Sequence, residues 1–205
     1  MITLYGNDRS RATRNVWMLE ELGVEYERNM VDHTKGEAKL PDFLAMNPGG
    51  KVPALRDGDA VMFESLAINL YLAVTYGKGT LWPDDAAGQA AVLQWTMFSA
   101  TEVEPHTVGA LIELIFKPKE LKDEAVAEAC LAKLPPILNV IETTLSDGRQ
   151  FLSGESFTAA DLNLACVVNS LHMIGFDYSP YPKMTAWLKT CADRPGQKKA
   201  SANKG

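Results

Sequence analysis

The chain has 205 residues, 46% of them apolar, with 20 basic against 26 acidic side chains and a formal charge of −6. That length and composition argue against disorder and suit one large domain or two smaller ones, and the acidic balance argues against a nucleic-acid partner, which needs a basic face. Three scattered cysteines, Cys130, Cys166 and Cys191, with no Cys-x-x-Cys, argue against a disulfide framework and for a reducing, cytoplasmic compartment, while Met1 to Ser10 does not read as a signal peptide and no run of ~18 apolar residues predicts a membrane span.

In chain order, Ile2 and Leu4 alternate with Thr3 and Tyr5, the period of a short strand. Gly6-Asn7-Asp8 is turn material. Val16, Leu19 and Leu22 recur at helical spacing and predict a helix over 10–22, stopped by Gly23. A second strand is expected over 26–31 and a short helix over 40–46. Strands follow over 51–55 and 61–63, joined by an Asp57-Gly58 hairpin turn. Ser65 to Tyr76 reads as helix. In this β-α-β-α-β-β-α order, the βαβ unit pairs parallel strands and the hairpin adds an antiparallel one, which is the mixed sheet of a thioredoxin-like domain.

Residues 1–77 are assigned to that domain, and 78–85, with its glycine, proline and aspartates, to a linker. Residues 86–205 read as all-helical. A long helix is expected over 89–116, bent near Pro105, and another over 120–145, broken or kinked by Pro135-Pro136. A third runs over 158–173 behind the capping box Thr158-x-x-Asp161, and a fourth over 182–192 with proline at its start. The polar end, Gly196 to Gly205, is expected to be loose. The fold class is therefore α+β, a thioredoxin-like domain followed by an all-α domain.

Pro53 stands inside an apolar strand pattern, where a residue without an N–H is out of place. A cis Val52-Pro53 bond would turn the chain and present the Val52 backbone to an extended peptide, as an added strand does. An ordinary trans proline on an edge strand fits the same letters. Glu64-Ser65 then opens a helix, where unpaired N–H groups and the positive dipole end favour a carboxylate. Glu64 beside it suits an ammonium group, although plain N-capping also explains the pair. A strand edge, an anion cradle and an ammonium acceptor together suit a small zwitterionic peptide.

Asn47-Pro48 through Lys51-Val52-Pro53-Ala54-Leu55, followed by Phe63-Glu64-Ser65-Leu66-Ala67-Ile68, resembles the glutathione-binding half of the cytosolic glutathione S-transferases, bacterial type. Ser10 to Glu27 is similar to their first helix and second strand, and Phe151 to Ala165 to the capping motif of their helical domain. The resemblance implies glutathione as cosubstrate and no metal. It implies that Val52 pairs with the cysteinyl backbone, that Glu64 and Ser65 hold the γ-glutamyl end, and that Lys51 reaches the glycyl carboxylate, with Pro53 shaping the turn. It also implies a homodimer in which the helix around Glu102 and Glu104 lends an acidic residue to the partner.

A thiol with a pKa near ~8.5 is a weak nucleophile until positive charge or hydrogen bonds lower it. The turn from Gly6 to Arg11 is where the resemblance puts that activation. It contains no cysteine, so Ser10 and Arg11 are the catalytic candidates, and Tyr5 a weaker one with its ring packed on the strand. Arg9-Ser10-Arg11 departs from the Ser-Pro of the commonest serine class. A small hydrophobic electrophile would lie between the domains, with Glu102 and His106 on its wall. His106 is far in sequence from His33 and His172 and shows no metal-ligand spacing. The expected activity is glutathione conjugation, with glutathione-dependent peroxide reduction as a further capacity; a non-catalytic glutathione-binding scaffold is the alternative.

Overall fold

A computed structural model of the chain describes residues 1–202. It falls into two compact units, one of Met1–Leu81 with the segment from Asp193 onward, the other Trp82–Ala192. The first opens with β1 (Ile2–Tyr5), α1 (Ala12–Leu22) and β2 (Tyr26–Asn29). It continues through two single 3-10 turns to α2 (Pro41–Met46), β3 (Ala54–Asp57), β4 (Ala60–Phe63) and α3 (Ser65–Tyr76). The sheet order is β2-β1-β3-β4. β1 runs parallel to β2, with Leu4 opposite Arg28, and antiparallel to β3, with Leu4 opposite Leu55. The hairpin places β4 at the sheet edge.

The alternation in β1 sorts its side chains to two faces. Ile2 and Leu4 are buried, as are Val16, Leu19, Ile68 and Leu72 of α1 and α3, which pack on each other. Tyr5 joins a smaller cluster of Val31, Ala38, Phe43 and Ala54, with Met46 and Val52 against it. Gly23 ends α1 at φ 64°, the left-handed value glycine takes without a Cβ clash.

Three departures from the sequence expectation have local causes. β3 starts at Ala54 because the Asn47 side chain already takes the Lys51 carbonyl, at 2.6 Å, and Pro53 has no N–H for a ladder. β2 stops at Asn29, whose carbonyl accepts the Val31 N–H in a tight turn. The chain end is not loose over its described part. Pro195–Ala202 forms α9, which packs on α1, and Arg194 forks onto Glu21 Oε2 at 2.8 and 3.0 Å. Gly196 sits so close that a Cβ there would be 2.6 Å from the Glu21 side chain. Residues 203–205 of the segment expected to be loose lie outside the described residues.

The second unit is helical throughout its described residues, apart from loops and isolated bridge residues, among them Phe151 paired with Gly154. α4 (Ala86–Phe98), capped by Asp85, runs through a π turn (Ser99–Val103) into α5 (Glu104–Leu111) and a second π turn (Ile112–Phe116). Both wide turns stand directly before a proline. The N–H of Glu104 reaches back five residues to Ser99, ahead of Pro105, and that of Lys117 to Ile112, ahead of Pro118. A proline ring clashes with the carbonyl four residues earlier, and a wider turn relieves the clash.

α6 (Glu124–Thr144) starts at Asp123, whose carboxylate accepts the Val126 N–H. It continues through Pro135 and Pro136 without the expected break. Both prolines are exposed, so carbonyls they cannot bond meet water. α7 (Ala159–Val168) gives way to a 3-10 segment (Asn169–Ile174), and α8 (Pro182–Ala192) follows. The capping box is a hub: fully buried Asp161 accepts the N–H groups of Leu152 at 2.8 Å and Thr158 at 2.9 Å, and the Trp187 indole N–H at 3.0 Å. Burial pushes its carboxyl above the ordinary range, and these donors pull against that shift.

Candidate functional site

The β1–α1 turn begins at Gly6, with φ 139°. A Cβ there would stand 2.8 Å from Ala12 Cβ and 3.3 Å from both Ser10 Oγ and Val52 Cβ. Glycine thus lets the start of α1 and the residue before Pro53 come together. Asp8 anchors the same turn to β2 through a 2.6 Å ion pair with Arg28. Within the turn, Ser10 Oγ donates to the Asn7 carbonyl at 2.7 Å and accepts the Ala12 N–H at 3.2 Å. Its one hydrogen and one of its lone pairs are used inside the turn. Arg11, exposed, stands at the N-cap of α1.

Asn47 shapes the other wall. Buried to 3% exposure, it gives its amide to the Lys51 carbonyl and accepts the Gly49 N–H at 3.0 Å. The Val52–Pro53 peptide that follows is cis. Val52 is half-buried and Lys51 exposed. Neither the N–H nor the C=O of Val52 has a hydrogen-bond partner among the described residues.

The third wall is the start of α3. Glu64 is the one non-glycine residue with positive φ among the described residues, at φ 71°, ψ 108°. Such a conformation costs of order 1–3 kcal/mol and persists where the surroundings impose it. Its carbonyl accepts the Ile68 N–H at 2.9 Å, and its side chain makes no capping bond. Ser65 beside it is 5% exposed. Arg14 Nη1 donates to the Ser65 hydroxyl at 3.3 Å, and Asn15 Nδ2 to the Ser65 carbonyl at 2.8 Å and to Asn69 Oδ1 at 2.7 Å.

Ser10 and Val52 therefore meet at Gly6, and Ser65 is tied to the helix that Ser10 and Arg11 open. Arg14 and Asn15 escaped the sequence pattern, and Asn47, part of the motif that carries the resemblance, had been given no role of its own. Their signal was faint: two polar residues interrupt the buried stripe of α1, and an asparagine precedes Pro48-Gly49-Gly50. Tyr5 packs edge-on against Phe43 with ring centres 6.5 Å apart. Glu102 and His106 lie in the other unit, in the first π turn and in α5; Glu102 is exposed and its Oε1 lies 3.4 Å from the Thr101 hydroxyl. Among the described residues no group of three His, Cys, Asp or Glu side chains could hold a metal ion, and no helix is long and apolar enough to cross a membrane.

A four-stranded mixed sheet of thioredoxin type, followed in the chain by an all-helical unit, is the fold of the glutathione S-transferases. Residues 1–74 match the glutathione S-transferase N-terminal domain and residues 104–195 the C-terminal domain. The chain belongs to the glutathione S-transferase family. It is 33% identical to glutathione S-transferase GstB of Escherichia coli (strain K12) over 202 residues, 97% of each chain. Glutathione transferase F7 from Populus trichocarpa superposes with a TM-score of 0.90 at 26% identity, covering 100% of both chains. The theta class enzyme of Xanthomonas axonopodis pv. citri, solved with glutathione bound, gives 0.89 at 28% identity, covering 97% of this chain and 96% of that one.

Proposed function

We propose that the protein is a glutathione transferase that binds glutathione along the first unit and adds its thiolate to small hydrophobic electrophiles. The observation that carries this reading is Glu64. A side chain held at positive φ, with an exposed carboxylate next to buried Ser65 and the start of α3, is a costly arrangement with no evident use in the fold. It suits the ammonium and carboxylate of a γ-glutamyl group. Val52 offers the backbone pair for the cysteinyl residue, and Lys51 the cation for the glycyl carboxylate. The bound glutathione of the Xanthomonas relative supports the same reading.

The thiol needs a stabilised anion. Ser10 spends its hydroxyl hydrogen on Asn7, so the activating groups in this reading are Arg11 and the positive dipole end of α1, with Ser10 holding the turn. Conjugation then proceeds by thiolate attack on an electrophilic carbon and departure of its leaving group. Attack of the same nucleophile on a peroxide oxygen would break the O–O bond, release the alcohol and leave a glutathione sulfenic acid, which a second glutathione thiol converts to the disulfide and water; that would be peroxidase activity. Glu102 and His106 are proposed for the electrophile wall, and the protein is proposed to work as a cytoplasmic homodimer to which the Glu102–Glu104 segment contributes.

A second reading rests on the same engaged hydroxyl: a glutathione-binding scaffold without turnover. Binding to immobilised glutathione, followed by turnover of a chlorinated nitroaromatic, separates the two. Binding with turnover is expected. Binding without turnover selects the scaffold, and absence of binding refutes both. Sedimentation at micromolar concentration showing a monomer of 22.4 kDa would remove the homodimer.

A further inference from the structure

Three tryptophans are buried, and two of them give the indole N–H to a carboxylate: Trp17 to Glu21 at 2.9 Å and Trp187 to Asp161 at 3.0 Å. Trp95, on α4, is the exception. It is 6% exposed, and its ring packs edge-on against Phe98. Its N–H has no hydrogen-bond partner among the described residues, yet it is not sealed from solvent. A buried indole N–H ordinarily has an acceptor. Trp95 lines a cleft of about 470 Å³ within the second unit, formed by α4, the end of α6 and the loop that follows. That volume is in the range of small-ligand sites. No residue of the cleft takes part in the glutathione reading.

Arg149, on the same cleft, is locked in place. Its Nε donates to both Asp147 oxygens at 3.0 Å, its Nη2 to Asp147 Oδ2 at 2.7 Å and its Nη1 to the Leu152 carbonyl at 3.1 Å. Three of its five N–H groups are thus engaged and two are left over. The hydrogen bonds from Arg149 hold the Asp147 carboxyl down at about 2, so the two charges cancel and the cleft offers fixed donors without net charge. The Thr143 hydroxyl and the Gln94 amide, also on the cleft, are exposed and have no partner among the described residues. We propose that this cleft is a second binding site, for a small, flat, uncharged molecule carrying an amide. Its carbonyl oxygen accepts from Trp95 and Arg149, and its N–H groups meet Thr143 and Gln94. A carboxylate fits less well, because it would leave water for a guanidinium that Asp147 already neutralises. The site stands whether or not the glutathione reading holds.

The test titrates benzamide and benzoate, a matched neutral and anionic pair, into the full chain with isotope-labelled indole nitrogens. Each of the four tryptophans then gives one N–H signal in a magnetic resonance spectrum. The Trp95 signal is identified by its loss in Trp95→Phe or, should that variant not fold, by its proximity to the Phe98 ring. Benzamide is expected to shift that signal saturably and to leave those of Trp17, Trp82 and Trp187 in place. Benzoate should bind at least about tenfold more weakly. Arg149→Lys should weaken benzamide by roughly 2- to 13-fold, the span of one ordinary hydrogen bond. No saturable shift at Trp95, a shift shared by all four signals, or an affinity unmoved by Arg149→Lys overturns the site. Benzoate binding as tightly as benzamide overturns the ligand class. Displacement of benzamide by saturating glutathione would put the probe in the glutathione site and overturn the proposal as well.

Discussion

Ser10→Ala separates the fold of the β1–α1 turn from its chemistry. The substitution deletes one oxygen and two hydrogen bonds, to the Asn7 carbonyl and from the Ala12 N–H. The Asn7 carbonyl keeps the Ser10 N–H at 3.1 Å, so it is not stranded. The Ala12 N–H loses a capping acceptor, worth about 0.5–2 kcal/mol. For a chain of this length about 1 kcal/mol moves Tm by roughly 2–4 °C, so calorimetry should show a fall of ~1–8 °C. The thiol of bound glutathione should scarcely respond, because the lost hydrogen was directed at Asn7. Arg11→Ala should instead raise the thiol pKa by about one unit, the lower end of what a nearby opposite charge supplies. Near neutral pH that is close to a tenfold loss of thiolate and of turnover. The assay is an ultraviolet thiolate titration of the glutathione complex for the wild type and both variants. A thiol pKa raised by a unit in Ser10→Ala and unmoved in Arg11→Ala would refute the reasoning and return the activating role to Ser10.

Glu64→Gly should leave the fold as stable or stabilise it, because glycine accepts φ 71° without a Cβ clash, while glutathione affinity falls ~10- to 150-fold with the loss of a charged hydrogen bond; a melting curve and calorimetry on one sample report both. Asp161→Ala leaves three buried donors, on Leu152, Thr158 and Trp187, without an acceptor, and should cost at least about 3 kcal/mol in denaturant unfolding. Tyr26 should titrate with its phenolate midpoint near 12, since burial, and then its 2.9 Å hydrogen bond to Glu20, disfavour the anion. Its folded pKa lies above the ordinary 10.0, so the stability it lends is complete below pH 10 and is lost as pH rises through about 12. Glu20→Gln should draw the midpoint back toward 10, and an unchanged midpoint would show that the hydrogen bond contributes nothing.

The elements that could be read in the sequence are those fixed by neighbours in the chain. Ser65–Tyr76 is a helix with the expected bounds because a dense apolar run lies between the Glu64 corner and Gly77. The Asp57-Gly58 turn and the capping box likewise follow from residues within a few positions of one another, whereas the letters around Val52–Pro53 fitted a cis or a trans bond alike and the structure has it cis. What was hidden depends on partners far apart. Arg14 and Asn15 acquire their meaning from Ser65 and Asn69, some fifty positions on. α9 is polar in composition and owes its place to Glu21 across the fold. Asn47 looked like turn filler and is the clamp that decides where β3 begins.

The two wide turns of the long helix have a consequence for engineering by length. Each accommodates one residue beyond the α repeat, and each residue advances an α-helix by about 100°. A helical wheel drawn straight through from Ala86 to Phe116 is therefore out of phase after Val103, and slips a second time within Ile112–Phe116. Deleting a single residue from Ser99–Val103 should let the helix close into ordinary turns with the side chains beyond it still in phase with α4, because the wide turn already absorbs that residue. With Pro105 replaced and the full length kept, nothing would hold the turn open, and its closure would advance every side chain beyond it by about 100°. An ordinary substitution exchanges one side chain on the wall that Glu102 and His106 are proposed to form, whereas this one would re-aim the whole of α5, His106 included, in one step.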